Sequence, residues 1–189
     1  GVNLSYTGAN LSTLDLSSKD FRGVNLAGVN LSNANLTSAL FDASTVFSGL
    51  DPVSGQRMGA NLSNTANLGA LLDPIAANAD MRGVNLAGVR LSTPNFTGLF
   101  DNTTIFSVQS GGLSIGANLS GSSAMMPTLN LGSTDFRGVN LAGVNLANAI
   151  LTSALFDQTT VFSATVGGQQ QGVNLSYTGA NLSTLDLSS

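Results

Sequence analysis

The sequence predicts an all-β solenoid, a chain that coils through very short strands and tight corners. Three observations carry that prediction. Over most of its length the chain falls into fives, each with a small apolar residue, a polar one, a large apolar one and two small or polar residues. The eighteen residues GVNLSYTGANLSTLDLSS at 1–18 return without substitution at 172–189, an offset of 171 residues, and repetition at fixed spacing marks a solenoid or array. All ten acids are Asp and none is Glu, a bias toward turns and caps and away from helices.

The fives begin at Ala9-Asn10-Leu11-Ser12-Thr13 and run on through Leu14-Asp15-Leu16, Asp20-Phe21-Arg22, Val24-Asn25-Leu26, Val29-Asn30-Leu31 and Ala34-Asn35-Leu36. A period of five fits neither the 3.6 of a helix nor the alternation of a long strand. The first and third residues of each quintet point inward about an outward second residue, as in a minimal strand. The remaining pair, rich in Ser, Thr, Asn and Gly, suits a corner. Four such corners close a square coil of about twenty residues, with successive coils joined by backbone hydrogen bonds at roughly 4.8 Å.

Repeated A-N-L-x-x and V-N-L-x-x quintets resemble the pentapeptide-repeat family, over about three quarters of the chain. The resemblance implies a right-handed quadrilateral β-helix, one continuous β-solenoid over 1–189.

A longer period lies above the fives. Asp20-Phe21-Arg22-Gly23-Val24-Asn25-Leu26-Ala27-Gly28 returns from Asp80 with Met81 in place of the Phe, and unchanged from Asp135. Sub-repeats therefore start near 20, 80 and 135. Each continues into a related stretch, at Leu40–Phe47, Leu99–Phe106 and Leu155–Phe162. The register then breaks at Gly49–Gly59, Ser107–Gly116 and Ser163–Gly172, which read as loops leaving the coil. Less regular breaks follow near Leu71–Asn78 and Gly121–Leu129. This leaves about eight quintets, or two coils, per sub-repeat. Equivalent loops are then expected at one corner, in line along the axis, on a unit of six coils roughly 29 Å long.

Chemistry-bearing motifs are sparse. Gly112-Leu113-Ser114-Ile115-Gly116 matches the G-x-S-x-G nucleophile elbow, but the chain has no histidine and one lysine, so the site lacks a base. Ten Asn-x-Ser/Thr triplets fit the glycosylation pattern, nearly all as by-products of N-L-S/T quintets; Asn102, near a loop, is the exception. Asp42, Asp101 and Asp157 recur beside Ser or Thr, while Asp51 and Asp73 precede prolines. Calcium needs six to eight oxygens, and turn capping is the preferred reading of these acids. Asp20 with Arg22, Asp80 with Arg82 and Asp135 with Arg137 are expected as solvent-exposed pairs. Gly23 and Gly28 have phosphate-loop spacing, but no Lys-Ser/Thr follows. Met58, Met81, Met125 and Met126 are expected to fill core or loop gaps. No catalytic, cofactor-binding or metal residue is assigned, no cofactor is expected, and the chain is not read as an enzyme.

Charged residues are only 8% of the chain and the net charge is -4, too little positive charge to bind a nucleic-acid backbone. No apolar run is long enough to span a membrane as a helix. Cysteine is absent, so no bridge marks a compartment. The quintet pattern runs to both ends of the sequence without a cap, which suggests a window on a longer periodic object. The leading expectation is a structural filament or surface stalk whose partner is itself, copies following head to tail, in an extracellular setting. A binding module is the alternative: an adhesin carried on the loops, or an acidic rod of the kind by which some pentapeptide-repeat proteins occupy a topoisomerase.

Overall fold

The computed structural model describes residues 2–65, 79–91, 99–120, 129–166, 168–176 and 178. Each quintet there makes one residue of parallel ladder and one corner. Asn10 pairs with Asn30, Asp15 with Asn35 and Asp20 with Leu40, so the outward second residue of each quintet stacks on its counterpart one coil away. Within a quintet the corner closes on itself: the Val29 amide donates to the Leu26 carbonyl at 2.9 Å and Ala34 to Leu31 at 3.0 Å. The residue before each closing amide is often left-handed, as at Asn33, Ser38 and Gly28, which is why small residues, Asn and Gly occupy it.

The first and third residues fill the interior. Val29, Leu31, Leu36, Leu62, Leu86 and Leu141 are essentially inaccessible to solvent, and burying one such side chain is worth about 1.5–3 kcal/mol. Phenylalanines form their own track. Phe21 stacks on Phe41 at 5.3 Å, Phe41 meets Phe47 at 5.7 Å, and further on Phe106 stacks on Phe136 and Phe136 on Phe156. Met81 is fully buried where the other two sub-repeats have Phe21 and Phe136. The fold is the all-β right-handed quadrilateral β-helix, and among the described residues there is no helix.

The three register breaks are antiparallel hairpins rather than irregular loops. The first pairs β1 (Ser48–Leu50) with β2 (Arg57–Gly59), the second β3 (Ser107–Ser110) with β4 (Leu113–Gly116), and the third β5 (Ser163–Val166) with β6 (Gln169–Gly172). The less regular breaks, with Asp73, Met125 and Met126, lie outside the described residues.

The ladders correct the expected alignment of these breaks. Asn25 stacks on Asn3 and Val46, but its counterpart Asn85 stacks on Asn61, which stands on Asn30, one face further round. Asn140, the third counterpart, stacks on Asn118 and so on Arg90, again one face further. Each sub-repeat is therefore nine quintets, two and a quarter coils, rather than eight. The hairpins leave three successive corners, each a quarter turn from the last and about 11 Å along the axis at roughly 4.8 Å per coil. From Asn3 to Asn174 the ladders span six and three-quarter coils, about 32 Å at that spacing.

Candidate interaction surface

Among the described residues the repetitive rod is interrupted at the three hairpins, and each hairpin has the same seat. The coil leading into it carries one extra residue, so Phe47 follows Phe41 by six positions. An Asp and a Thr absorb the insertion. The Asp42 carboxylate accepts from the Ser44 amide at 2.9 Å, and the Thr45 hydroxyl donates across to the Phe21 carbonyl of the previous coil at 3.0 Å while accepting from the Asp42 amide. Thr104 does the same toward Met81 and Thr160 toward Phe136, at 3.0 Å each. All three threonines are buried.

Glycines complete the seat above and below. A Cβ on Gly28 would lie 3.3 Å from Met58 Cε, and one on Gly88 would lie 3.2 Å from Ile115 Cγ2, so the returning strand of each hairpin rests on the second glycine of its own motif. The Gln171 side chain covers Gly143 in the same way. On the other side the coil above presses on the hairpin's last residue. A Cβ on Gly59 would overlap the Gly83 carbonyl, and one on Gly116 would overlap that of Gly138. In the second and third motifs the first glycine thus closes one hairpin and the second supports the next, which accounts for the paired glycines of R-G-V-N-L-A-G there. Glycines of a phosphate loop they are not.

Charge follows the same spiral. Arg22 binds Asp20 bidentately, Nε donating to Oδ1 at 2.9 Å and Nη2 to Oδ2 at 2.6 Å, and this pair is half exposed. The counterparts Arg82–Asp80 and Arg137–Asp135 are partly buried, not fully solvated as expected, because the hairpins crowd them. Hairpin one adds a second cation: Arg57 reaches Asp80 at 3.1 Å and also donates to the Ser48 hydroxyl, which donates to the Arg82 carbonyl. The hydrogen bond from Arg22 holds Asp20 down at about 2. For Asp80 burial works in the raising direction but is outweighed by the Arg82 hydrogen bonds and the charges of Arg82 and Arg57, so its pKa is also lowered.

The remaining motifs resolve into local structure. Ser114 sits in β4, and its hydroxyl accepts from Gln109 Nε2 at 2.9 Å. Asp51 caps its own hairpin turn through the Val53 amide at 3.0 Å and the Ser54 hydroxyl at 2.6 Å. Asp101 and Asp157 cap the turns at Thr103 and Thr159. Among the described residues no three Asp come together as metal ligands. Asn102 is exposed on its turn. No helix among the described residues is long and apolar enough to cross a membrane.

Sequence reasoning missed two elements of the seat, the bridging threonines and the glycine that ends each hairpin. Both left a signal. A Thr stands three residues after each Asp of the L-F-D stretch, and each hairpin ends G-A-N-L or G-V-N-L.

Comparison with known proteins gives one family. The pentapeptide-repeat model matches eight copies, over residues 7–42 and 130–160. No curated protein matches the sequence. Among solved structures, the plasmid-mediated fluoroquinolone resistance protein QnrB1 is similar at 13% identity and a TM-score of 0.39, over 99% of this chain and 89% of that one. HetL, a pentapeptide-repeat protein involved in heterocyst differentiation regulation in the cyanobacterium Nostoc, is 24% identical over 82% of this chain and 65% of its own, with a TM-score of 0.31. Rfr23, a pentapeptide-repeat protein of the cyanobacterium Cyanothece, is 22% identical over 85% and 87%, with a TM-score of 0.19. The unmatched middle of the chain is where the spacing slips: Asn85 stands twenty-four residues after its ladder partner Asn61, and Leu99 nineteen after Asp80. The quintets matched on either side of it, with parallel ladders joining the coils among the described residues, make the chain similar to the pentapeptide-repeat proteins in both segments that the family model matches.

Proposed function

We propose that this chain is a non-catalytic structural rod, a segment of solenoid that continues through further copies of itself as a filament or surface stalk. The carrying observation is that both edges of the repeated coil are competent to pair. In the copy at 2–7 the downstream edge is used: Leu4 donates to the Asn25 carbonyl at 3.0 Å and Tyr6 to Ala27 at 3.1 Å. In the copy at 172–178 the upstream edge is used: Leu146 donates to Asn174 and Asn148 to Ser176, both at 2.9 Å. One coil of that sequence, flanked on both sides, would satisfy both ladders at once. An open ladder edge otherwise templates pairing with whatever strand it meets.

A non-enzymatic role is supported by a chemistry spent on structure. Among the described residues carboxylates cap turns or bind arginine, and the hydroxyl of the elbow-like serine accepts from a side-chain amide. The low charge and the Asn, Ser and Thr surface suit an extracellular setting. Electron microscopy of the intact protein from its source tests the proposal: long rods of constant width are expected, and discrete rods about 32 Å long that never join end to end would sink it.

A second reading, hairpins as an adhesive surface on the rod, draws on the exposure of Leu50, Val53 and Leu113 at the hairpins. Deleting hairpin one would then abolish adhesion and spare the rod. The DNA-mimic reading has weaker support, since Asp20, Asp80 and Asp135 are each neutralised by an adjacent arginine and form no continuous anionic face.

A further inference from the structure

Gly172 is the point at which the reading above acquires a specific joint. Gly59, Gly116 and Gly172 occupy the same place, the last residue of the three hairpins. None of the three has the left-handed backbone that would by itself select glycine. At Gly59 and Gly116 the requirement is steric, since the backbone of Gly83 and of Gly138 passes against the position a Cβ would fill. At Gly172 nothing among the described residues lies within 4 Å of that position. Neither conformation nor packing among the described residues accounts for glycine there.

The repeat supplies the missing neighbour. Gly138 follows Gly116 by twenty-two residues and opens the next R-G-V-N-L-A-G motif. Twenty-two residues beyond Gly172, counted through the repeated segment, falls on the Gly23 of a following copy, the first glycine of its D-F-R-G motif. The phase agrees as well as the count. Hairpins recur every nine quintets, and Asn174 stands twenty-seven quintets after Asn3, so the hairpin spiral passes through the 171-residue period without a break.

Resting on the continuous-rod reading, we propose that hairpin three is the joint between consecutive copies: the Asp20–Asn25 segment of the following copy closes over Gly172, its Gly23 doing there what Gly83 and Gly138 do within this chain. Arg22 and Asp20 of that copy then lie beside β5 and β6, as Arg82 and Asp80 lie beside β1 and β2. In a register-true continuation the partner is a second copy of this repeat and no other protein.

The test compares Gly172→Ala in the 189-residue chain with the same substitution in a doubled chain, in which a second copy of residues 19–189 follows Ser189. In the single chain the expected change in Tm is under about 1 °C, because the added methyl meets open space. In the doubled chain the amides of the second Val24 and Asn25 are expected to exchange with deuterium at least about tenfold faster than without the substitution. Equal exchange in the two doubled chains would overturn the proposal. X-ray scattering of the unsubstituted doubled chain separates this from the underlying reading. If the doubled chain fails to lengthen as one rigid rod, the continuous rod itself is wrong; if it lengthens and Gly172→Ala is silent, only the joint is wrong.

Discussion

The substitution Gly59→Ala puts the steric account of the seat to its hardest trial. The added methyl would stand against three backbone atoms, the carbonyl carbon and oxygen of Gly83 and the amide nitrogen of Val84. Carbon contacts sit at about 3.5–4.0 Å, so the coil above has to retreat by about an ångström or more. Two ladder bonds at that level, Leu62 to Asn85 at 2.9 Å and Asn85 to Ala60 at 3.0 Å, are then stretched out of hydrogen-bonding range. Each is worth about 1 kcal/mol, and overpacking adds roughly 1–3 kcal/mol, so a loss near 3–5 kcal/mol is expected. For a chain of this size that lowers Tm by about 6–20 °C. Gly55→Ala is the control: Gly55 is left-handed at +69° with open space around it, so only backbone strain of about 1–2 kcal/mol is at stake. Urea unfolding followed by circular dichroism measures both. If Gly59→Ala costs no more than Gly55→Ala, the coil above does not press on the hairpin and the seat described here is wrong.

Three other perturbations read different parts of the same unit. Thr104→Val keeps the shape of the side chain but takes the acceptor from the Asp101 amide and leaves the Met81 carbonyl with the Val84 amide alone; a loss of about 1–3 kcal/mol is expected, and a denaturation midpoint like that of the unsubstituted chain would show that the buried bridge is idle. Met81→Phe restores the residue found at Phe21 and Phe136, and because those sites accept the ring it should cost less than about 1.5 kcal/mol, whereas Met81→Ala should cost about 2–5 kcal/mol; equal losses for the two would refute the continuous aromatic track. The folded pKa of Asp20, lowered to about 2 by Arg22, lies below its unfolded value of about 3.9, so the stabilisation is complete above pH 4 and is withdrawn as pH falls toward 2; Asp15, Asp42, Asp51, Asp80 and Asp135 shift the same way, so thermal unfolding should move to lower temperature across that window, and a melting temperature unchanged from pH 5 to 2 would contradict these pairings.

Which of these features could be read from the sequence depended on whether they are local or cumulative. The inward pair of each quintet is local: Leu26 and Leu31 must be buried if Asn25 and Asn30 are outward, and they are. The role of those asparagines is equally local yet went unread. Asn30 Oδ1 caps its own corner through the Ser32 amide at 3.1 Å while its Nδ2 donates down to Asn10, also at 3.1 Å, so N-L-S is a cap as well as a repeat unit. The partial burial of Asp80 and Asp135 required knowing that a hairpin comes alongside, which no spacing within D-x-R reveals. Phase is cumulative. A residue's face depends on the number of preceding quintets modulo four, so miscounting one quintet per sub-repeat, across stretches where the spacing slips to nineteen or twenty-four, turns every later face by ninety degrees.

That remainder has a physical consequence. Had each sub-repeat held eight quintets, all hairpins would share one corner and the rod would have a decorated face and a bare one, a shape suited to docking along a single partner. Nine leaves a remainder of one, so the hairpins climb as a four-fold screw. A partner lying along one side of a continuing rod would meet a hairpin only every nine coils, about 43 Å, while a rod approached from any direction presents the same spacing. The 171-residue unit carries three hairpins, and three quarter-turns do not close, so identical copies of the unit would face different ways and the four-copy repeat would return to its starting face after twenty-seven coils. Lateral contacts between such rods could not favour one face. Cohesion is then left to the axial ladder and the interior columns of Leu and Phe, which is where this sequence concentrates its apolar residues.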